Sequence, residues 1–160
     1  MAIRREVLGE GHPDTAQSLN NLGVLLRALG DLAGAKPYYE QALAIRREVL
    51  GEGHPATALS LNNLGSLLQA QGDLAGAKPY YEQALAIRRE VLGEGHPDTA
   101  QSLNNLGGLL QAQGDLAGAK PYYEQALAIF EAALGPDHPN TKIVRANLES
   151  LLAEIEKQGQ

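Results

Sequence analysis

Cysteine is absent from all 160 residues, which excludes a disulfide framework and a thiolate metal site and fits a reducing compartment. The cytosol, a cytoplasmic setting, is the expected location. No segment has a positive balance either. Residues 2–43, 44–85, 86–127 and 128–160 carry formal charges of −1, −1, −2 and −2, which make up the net −6. A phosphate backbone asks for a basic stripe on one face, so no nucleic-acid partner is expected. Nowhere do about 18 apolar residues run together as a membrane span requires, and the opening MAIRREVLGEG has no apolar run of signal-peptide length. No membrane partner is expected, and the chain should be soluble.

What the chain does have is repetition. The stretch AIRREVLGEGHPDTAQSLNNLGVLLRALGDLAGAKPYYEQAL, starting at Ala2, restarts almost letter for letter at Ala44 and again at Ala86, every 42 residues. A period between about 20 and 50 residues marks a solenoid, in which each unit buries its apolar face only by stacking on its neighbours. Because stacking is local, three units and terminal pieces can form one continuous core. The expected organisation is a single domain over 1–160: a partial helix (1–8), repeats 9–50, 51–92 and 93–134, and a capping helix (138–157). A stack of this kind offers a groove and no central active-site pocket, so the expected activity is binding along an extended surface.

Within the first unit, Leu19, Leu22, Leu25, Leu26 and Leu29 recur at helical spacing, so Pro13 to Leu29 reads as an amphipathic helix. Pro13 suits the first turn, where its missing N–H has no partner, and Asp14 and Thr15 favour the positive end of the helix dipole. Gly30 stops that helix and Asp31 is a good N-cap for the next. The second helix carries Leu32, Ala35, Tyr39, Ala42, Leu43, Val49 and Leu50 on one stripe and reaches Leu50. Pro37 lies early in it and removes one hydrogen bond, to the carbonyl of Ala33, which the helix should survive. Gly51 to Pro55 then break the chain before the next unit. Gly23, Gly65 and Gly107 on the first helices, with Ala35, Ala77, Ala119 and Ala42, Ala84, Ala126 on the second, let paired antiparallel helices approach closely.

The run Asn62-Leu64-Gly65, then Gly72-Asp73, Ala77, Tyr81, Ala84 and Leu85, resembles the tetratricopeptide repeat, and it falls in all three units. At 42 residues the unit is longer than the common form of about 34, the addition lying at AIRREVLGEGHP. This variant is similar to the repeats of kinesin light chains and of many bacterial signalling proteins. The resemblance implies an all-α fold: an α-solenoid of antiparallel helix pairs in a right-handed superhelix, with first helices on the concave wall.

The two ends depart from the pattern. Ala2 to Leu8 matches only the tail of a second helix, which leaves Ile3, Val7 and Leu8 near a bare outer wall; a homo-oligomer formed head to head through this uncapped end is expected. At the other end Arg88-Arg89-Glu90-Val91 becomes Phe130-Glu131-Ala132-Ala133, and a divergent helix follows from about Pro139 to Lys157. Its apolar stripe is Val144, Leu148, Leu151, Leu152 and Ile155, while Lys142, Arg145, Glu149, Glu156 and Lys157 face water, as befits a cap. Gln158-Gly159-Gln160 should fray.

Catalytic and metal chemistry find little support. His12, His54, His96 and His138 each occupy the same inter-unit loop, one repeat apart, and cannot share one ion whose ligand nitrogens must lie at about 2.0–2.1 Å. Each unit has one loop histidine, one serine (18, 60 or 102) and scattered carboxylates, so no nucleophilic triad assembles. No cofactor motif occurs and no enzyme activity is expected. Tyr39, Tyr81 and Tyr123 read as core, the preceding tyrosines as half exposed. The arginine pairs 4/5, 46/47 and 88/89 sit beside glutamates and read as a solvated face.

The asparagine pairs Asn20-Asn21, Asn62-Asn63 and Asn104-Asn105 lie mid-helix, where asparagine competes with backbone hydrogen bonding and needs compensation. An amide side chain carries donors and an acceptor, which match the alternating N–H and C=O groups of an extended peptide. The family resemblance implies that the second asparagine faces the groove and clamps peptide backbone, which carries over to Asn21, Asn63 and Asn105; structural bonding suits the first. The units differ at Asp14/Ala56/Asp98, Gln17/Leu59/Gln101, Val24/Ser66/Gly108, Arg27/Gln69/Gln111 and Leu29/Gln71/Gln113, all on first helices. Residues 17, 21, 24 and 28 share a helix face, with 27 at its edge. The expected function is therefore a protein-interaction scaffold that binds an extended peptide. Asn21, Asn63 and Asn105 would hold main chain; Gln17, Leu59, Gln101, Val24, Ser66, Arg27, Gln69 and Gln111 would shape side-chain preference. A structural array that stacks or self-assembles without a dedicated ligand is the alternative.

Overall fold

The computed structural model describes residues 11–159. Seven α-helices fill them: α1 (Pro13–Ala28), α2 (Leu32–Leu50), α3 (Pro55–Ala70), α4 (Leu74–Leu92), α5 (Pro97–Ala112), α6 (Leu116–Leu134) and α7 (Pro139–Gln158). No strand occurs among the described residues. The partial helix expected over 1–8 lies outside them. Elsewhere the boundaries match the expectation to within a residue, and α2 passes through Pro37 unbroken. Gln158, placed with the frayed tail, instead closes α7.

Local chemistry fixes these ends. Gly30 adopts φ +86°, a conformation that a side chain disfavours, and Asp31 then caps α2 by accepting the Gly34 N–H on Oδ1 at 2.9 Å. The cap itself requires Gly34: a Cβ there would meet the Asp31 carboxylate at 2.2 Å. The first helices are capped by histidine. Nδ1 of His12, His54, His96 and His138 accepts the backbone N–H two residues on, at 3.0, 2.9, 3.0 and 3.1 Å. Thr57, Thr99 and Thr141 are buried, and each donates its hydroxyl at 2.8 Å to the carbonyl of the glycine ending the previous helix, Gly51, Gly93 or Gly135. The threonine thus ties unit to unit, a role beyond that of a first-turn residue.

The chain divides into two compact units, Met1–Ile87 and Arg88–Gln160. In the first, α2 packs against both α1 and α3. Ala35, Tyr39 and Leu43 of α2 meet Ala58, Leu61, Leu64 and Leu67 of α3 in one buried cluster that also takes in Ala84. Ala16, Leu19 and Ala42 form a smaller one. Each large side chain buried in this way contributes roughly 1.5–3 kcal/mol. In the second unit α6 packs against α5 and α7, with Leu110, Leu116, Ala119, Tyr123 and Leu151 at the centre.

The helix phase corrects two details. Val49, placed on the buried stripe, is exposed, because Arg46 takes the buried position after Leu43. Leu25 and Leu29 are 54% and 73% exposed, whereas Leu67 and Leu109, the counterparts of Leu25, are 0% exposed. Identical letters therefore have different burial according to what packs on them.

α7 continues the first-helix register while abandoning one of its faces. Thr141, Val144, Leu148 and Leu151 stand 42 residues after Thr99, Ser102, Leu106 and Leu109, and Val144 and Leu151 are buried. Where Ala100, Leu103 and Gly107 turn toward a second helix, α7 has Lys142, Arg145 and Glu149. A face of three charges cannot be buried under another helix without desolvation, so α7 closes its unit.

The close approach of paired helices rests on glycine. A Cβ at Gly65 would lie 2.7 Å from the Tyr81 ring, and Gly23 and Gly107 stand in the same relation to Tyr39 and Tyr123. Gly108, next door, has only the Tyr123 hydroxyl at 3.5 Å. Gly65→Ala is expected to destabilise the protein by roughly 1–3 kcal/mol through overpacking, and Gly108→Ala to stabilise it by roughly 0.5–1 kcal/mol through helix propensity. Denaturant unfolding of the two variants tests this; equal shifts of the same sign would show that the tyrosine is not locked.

Candidate functional site

The strip defined by residues 17, 21, 24 and 28 reaches solvent on the first helices. On α1 all four positions are exposed; on α3 Leu59 and Ala70 are exposed with Asn63 and Ser66 part buried; on α5 Gln101 and Ala112 are exposed with Asn105 and Gly108 part buried. An amide recurs at the second position of each strip.

The asparagines also bond to one another. Asn63 donates through Nδ2 to Oδ1 of the buried Asn20 at 2.7 Å, and Asn147 donates in the same way to Asn104 at 3.1 Å. In both cases the later asparagine satisfies the asparagine 43 residues before it. This bond uses one amide hydrogen and leaves the second hydrogen and the carbonyl oxygen of the donor's amide for other partners. On α1, Asn21 accepts from Gln17 Nε2 at 2.9 Å. Asn147 went unremarked in the sequence, although Asn147-Leu148 repeats Asn105-Leu106 after 42 residues.

Among the described residues, the arginine pairs 46/47 and 88/89 are not a solvated face, and the pair 4/5 lies outside them. Arg46 and Arg88 are each only 4% exposed. Arg46 donates to Ser60 Oγ at 2.8 Å, Gln17 Oε1 at 2.9 Å and the Ala56 carbonyl at 3.4 Å. Arg88 donates to Ser102 Oγ at 2.9 Å, Gln101 Oε1 at 3.1 Å and the Asp98 carbonyl at 3.3 Å. Burial lowers the pKa of both guanidinium groups from the ordinary value, opposed at Arg88 by the charge of Asp98. Position 46 lies three or four residues beyond Ala42 and Leu43, so the helical period carries it inward. In these two pairs only the second arginine stays at the surface, where Arg47 and Arg89 meet Glu52 and Glu94 at 3.1 Å. Gln17 and Gln101 thus face solvent and also serve a buried cation.

The other varied positions meet the core tyrosines. The Tyr81 hydroxyl donates to Gln69 Oε1 at 2.9 Å and that of Tyr123 to Gln111 Oε1 at 2.8 Å. Arg27 donates to Ser66 Oγ at 2.7 Å. Burial raises the pKa of Tyr39, Tyr81 and Tyr123, and Arg27 pulls that of Tyr39 back. Val24 and Leu59 are exposed apolar side chains. Tyr38, Tyr80 and Tyr122 lie part buried at the core edge.

A family model described as "Tetratricopeptide repeat" matches residues 1–48, 25–90, 57–132 and 98–160. Among solved structures, BtubC (BKLC) from P. vanneervenii is 29% identical over 88% of this chain and 56% of its own, with a TM-score of 0.80. A kinesin light chain-type protein of nearly identical TPR-like repeats from Podosopora anserina is 28% identical over 88% of this chain and 66% of its own, TM-score 0.80. A single-substitution variant of that protein reaches a TM-score of 0.82 at 28% identity over 99% of this chain and 75% of its own. The chain thus spans little more than half the length of BtubC and about two thirds of the Podosopora protein. No curated protein matches it. These likenesses show the expected fold class, an all-α solenoid of TPR-type hairpins.

The inner junctions pair arginine with serine, and 42 residues on the same two places are Phe130 and Val144. Ser102→Val should cost roughly 1–3 kcal/mol by depriving the Arg88 guanidinium of an acceptor. Arg88→Phe combined with Ser102→Val should recover most of that loss, a coupling of about 1 kcal/mol or more in a double-mutant cycle. Additive effects would mean that the two positions are not matched.

Proposed function

The chain belongs to the tetratricopeptide repeat family, whose arrays are protein-interaction scaffolds, and on that premise we propose that its first-helix faces hold an extended peptide segment. The observation that carries this reading is an amide placed once per unit on a solvent-reaching strip: Asn21, Asn63 and Asn105. A peptide in extended form presents N–H and C=O groups in alternation, and an amide side chain answers both. Gln17 and Gln101 are held by the buried arginines, and Gln69, Gln111 and Ser66 by the bonds to Tyr81, Tyr123 and Arg27. Side chains fixed before binding lose less entropy on binding. Leu59 and Val24 add apolar contact, and no formal charge lies on the strip except Arg27 at its edge, so modest affinity and a preference for uncharged segments follow. The role is that of a non-catalytic scaffold in a cytoplasmic setting.

The test is selection of a displayed random-peptide library on the purified chain, followed by affinity measurement of the enriched peptides. Asn63→Ala alone would strand the buried Asn20 oxygen, whereas removing both partners of a hydrogen bond is nearly neutral. A variant with Asn20, Asn21 and Asn63 all changed to Ala should therefore keep its helical circular dichroism and bind the selected peptides about tenfold more weakly, or about 1.4 kcal/mol. Undiminished affinity, or a library that yields no enriched peptide, overturns the clamp.

A second reading, self-association, is favoured by the apolar outer side of α1, where Leu25 and Leu29 stand 54% and 73% exposed. Large apolar side chains grouped at one surface mark interaction sites. Sedimentation velocity should show a concentration-dependent dimer that Leu25→Glu with Leu29→Glu converts to monomer; a monomer at every concentration removes this reading.

A further inference from the structure

The junction between α6 and α7 differs chemically from the inner ones. Where Arg88 fills its junction with a guanidinium bonded to Ser102, Gln101 and the Asp98 carbonyl, the corresponding place 42 residues on holds the buried, apolar Phe130 and Val144. A cavity of about 230 Å³ lies there; Phe130, Val144, Ile143 and Pro97 are its apolar walls, and Asp98, Gln101, Asn104, Asn105 and Asn140 its polar ones. Ile143 is 55% exposed, a large aliphatic side chain left in water where the preceding unit has Gln101.

We propose that this cavity receives one aliphatic or aromatic side chain of the bound peptide, so that the last junction anchors the segment. The proposal rests on the peptide reading above. A dry apolar cavity of about 150 Å³ is large enough for a benzene ring, so a leucine or phenylalanine side chain fits the volume. Phe130, Val144, Ile143 and Pro97 offer no side-chain donor or acceptor to a polar occupant, and the polar groups of the cavity come from its other residues. A guanidinium would be no better served, because the serine hydroxyl that holds Arg88 is replaced by the Val144 methyl groups. An apolar side chain packs against Phe130 and Val144, removes Ile143 from water, and sets its own main chain beside the Gln101 amide.

The probes are N-acetyl-leucinamide, N-acetyl-phenylalaninamide and N-acetyl-serinamide, titrated into the full chain while the methyl resonances of Ile143 and Val144 are followed by NMR. The leucine and phenylalanine amides should shift both residues, and the serine amide should bind at least tenfold more weakly. Phe130→Arg with Val144→Ser rebuilds the inner junction and fills the cavity, and should abolish the Ile143 response. Ile143→Gln, a change at an exposed position that leaves the packing intact, should weaken the response of Val144 at least threefold. Unshifted methyls in the parent chain, equal binding of the serine amide, or an unchanged response in Ile143→Gln overturns the proposal. A capped single residue presents no extended main chain, so this result does not depend on capture by Asn21 and Asn63, and failure of the clamp is told apart from failure of the cavity.

Discussion

Everything in this protein depends on second helices that must be covered on two sides. α2 packs against α1 and α3, and α6 against α5 and α7. A helix of 19 residues with small and apolar positions along such a stripe cannot stay folded alone, because local hydrogen bonding barely offsets its ordering entropy. Its stability is borrowed from neighbours. That explains why alanine and glycine recur so strictly: Ala35, Ala42, Ala77, Ala84, Ala119 and Ala126 are all fully buried, and the tyrosine rings lie on Gly23, Gly65 and Gly107 with no room for a methyl group. Larger residues would separate the helices and expose both sides of the stripe.

Much of this was legible. The 42-residue period and the Gly-Asp stop and cap gave helix ends that agree with the structure, because those signals act within a few residues of chain. Burial at Arg46 was not legible, since a charged letter interrupts the apolar pattern and only the helical phase reveals that the position faces inward. The exposure of Leu25 was equally hidden: Leu67 and Leu109 carry the same letter and are covered, and no property of the leucine itself decides between them. Asn147 was available to alignment and was obscured by the divergence of the helix around it.

The varied positions on the first helices look like a specificity strip in the sequence, yet several have inward obligations. Arg46 draws a carbonyl oxygen from Gln17 on its own hairpin, whereas Arg88 draws it from Gln101 on the following helix. With one glutamine for each guanidinium, the middle unit is released from this duty and carries Leu59. Variation at this position is thereby linked to the charge accounting of the interior, and a buried guanidinium would be costly if left short of acceptors. The same logic holds at positions 69 and 111, whose glutamines accept the tyrosine hydroxyls. A side chain that bonds inward through its oxygen still presents an N–H₂ group outward, so structural duty and recognition are compatible within one amide.

Arginine gives way to phenylalanine at the junction of α6 with α7. An inner second helix meets a first helix whose far side is covered in turn, and there a directional guanidinium bonded to serine and a carbonyl fixes the register of two otherwise similar surfaces. α7 has no such need for distinction, because Lys142, Arg145 and Glu149 already mark it as a helix to be covered on one side only. Apolar contact then suffices, and it avoids the desolvation that a buried cation entails. Phe130 and Val144, which stand where the inner junction has arginine and serine, line the cavity beside Asn105. The junction where the guanidinium gives way to Phe130 and Val144 is also the one that lines the cavity, so the most distinctive surface of a nearly repetitive chain lies between α6 and α7.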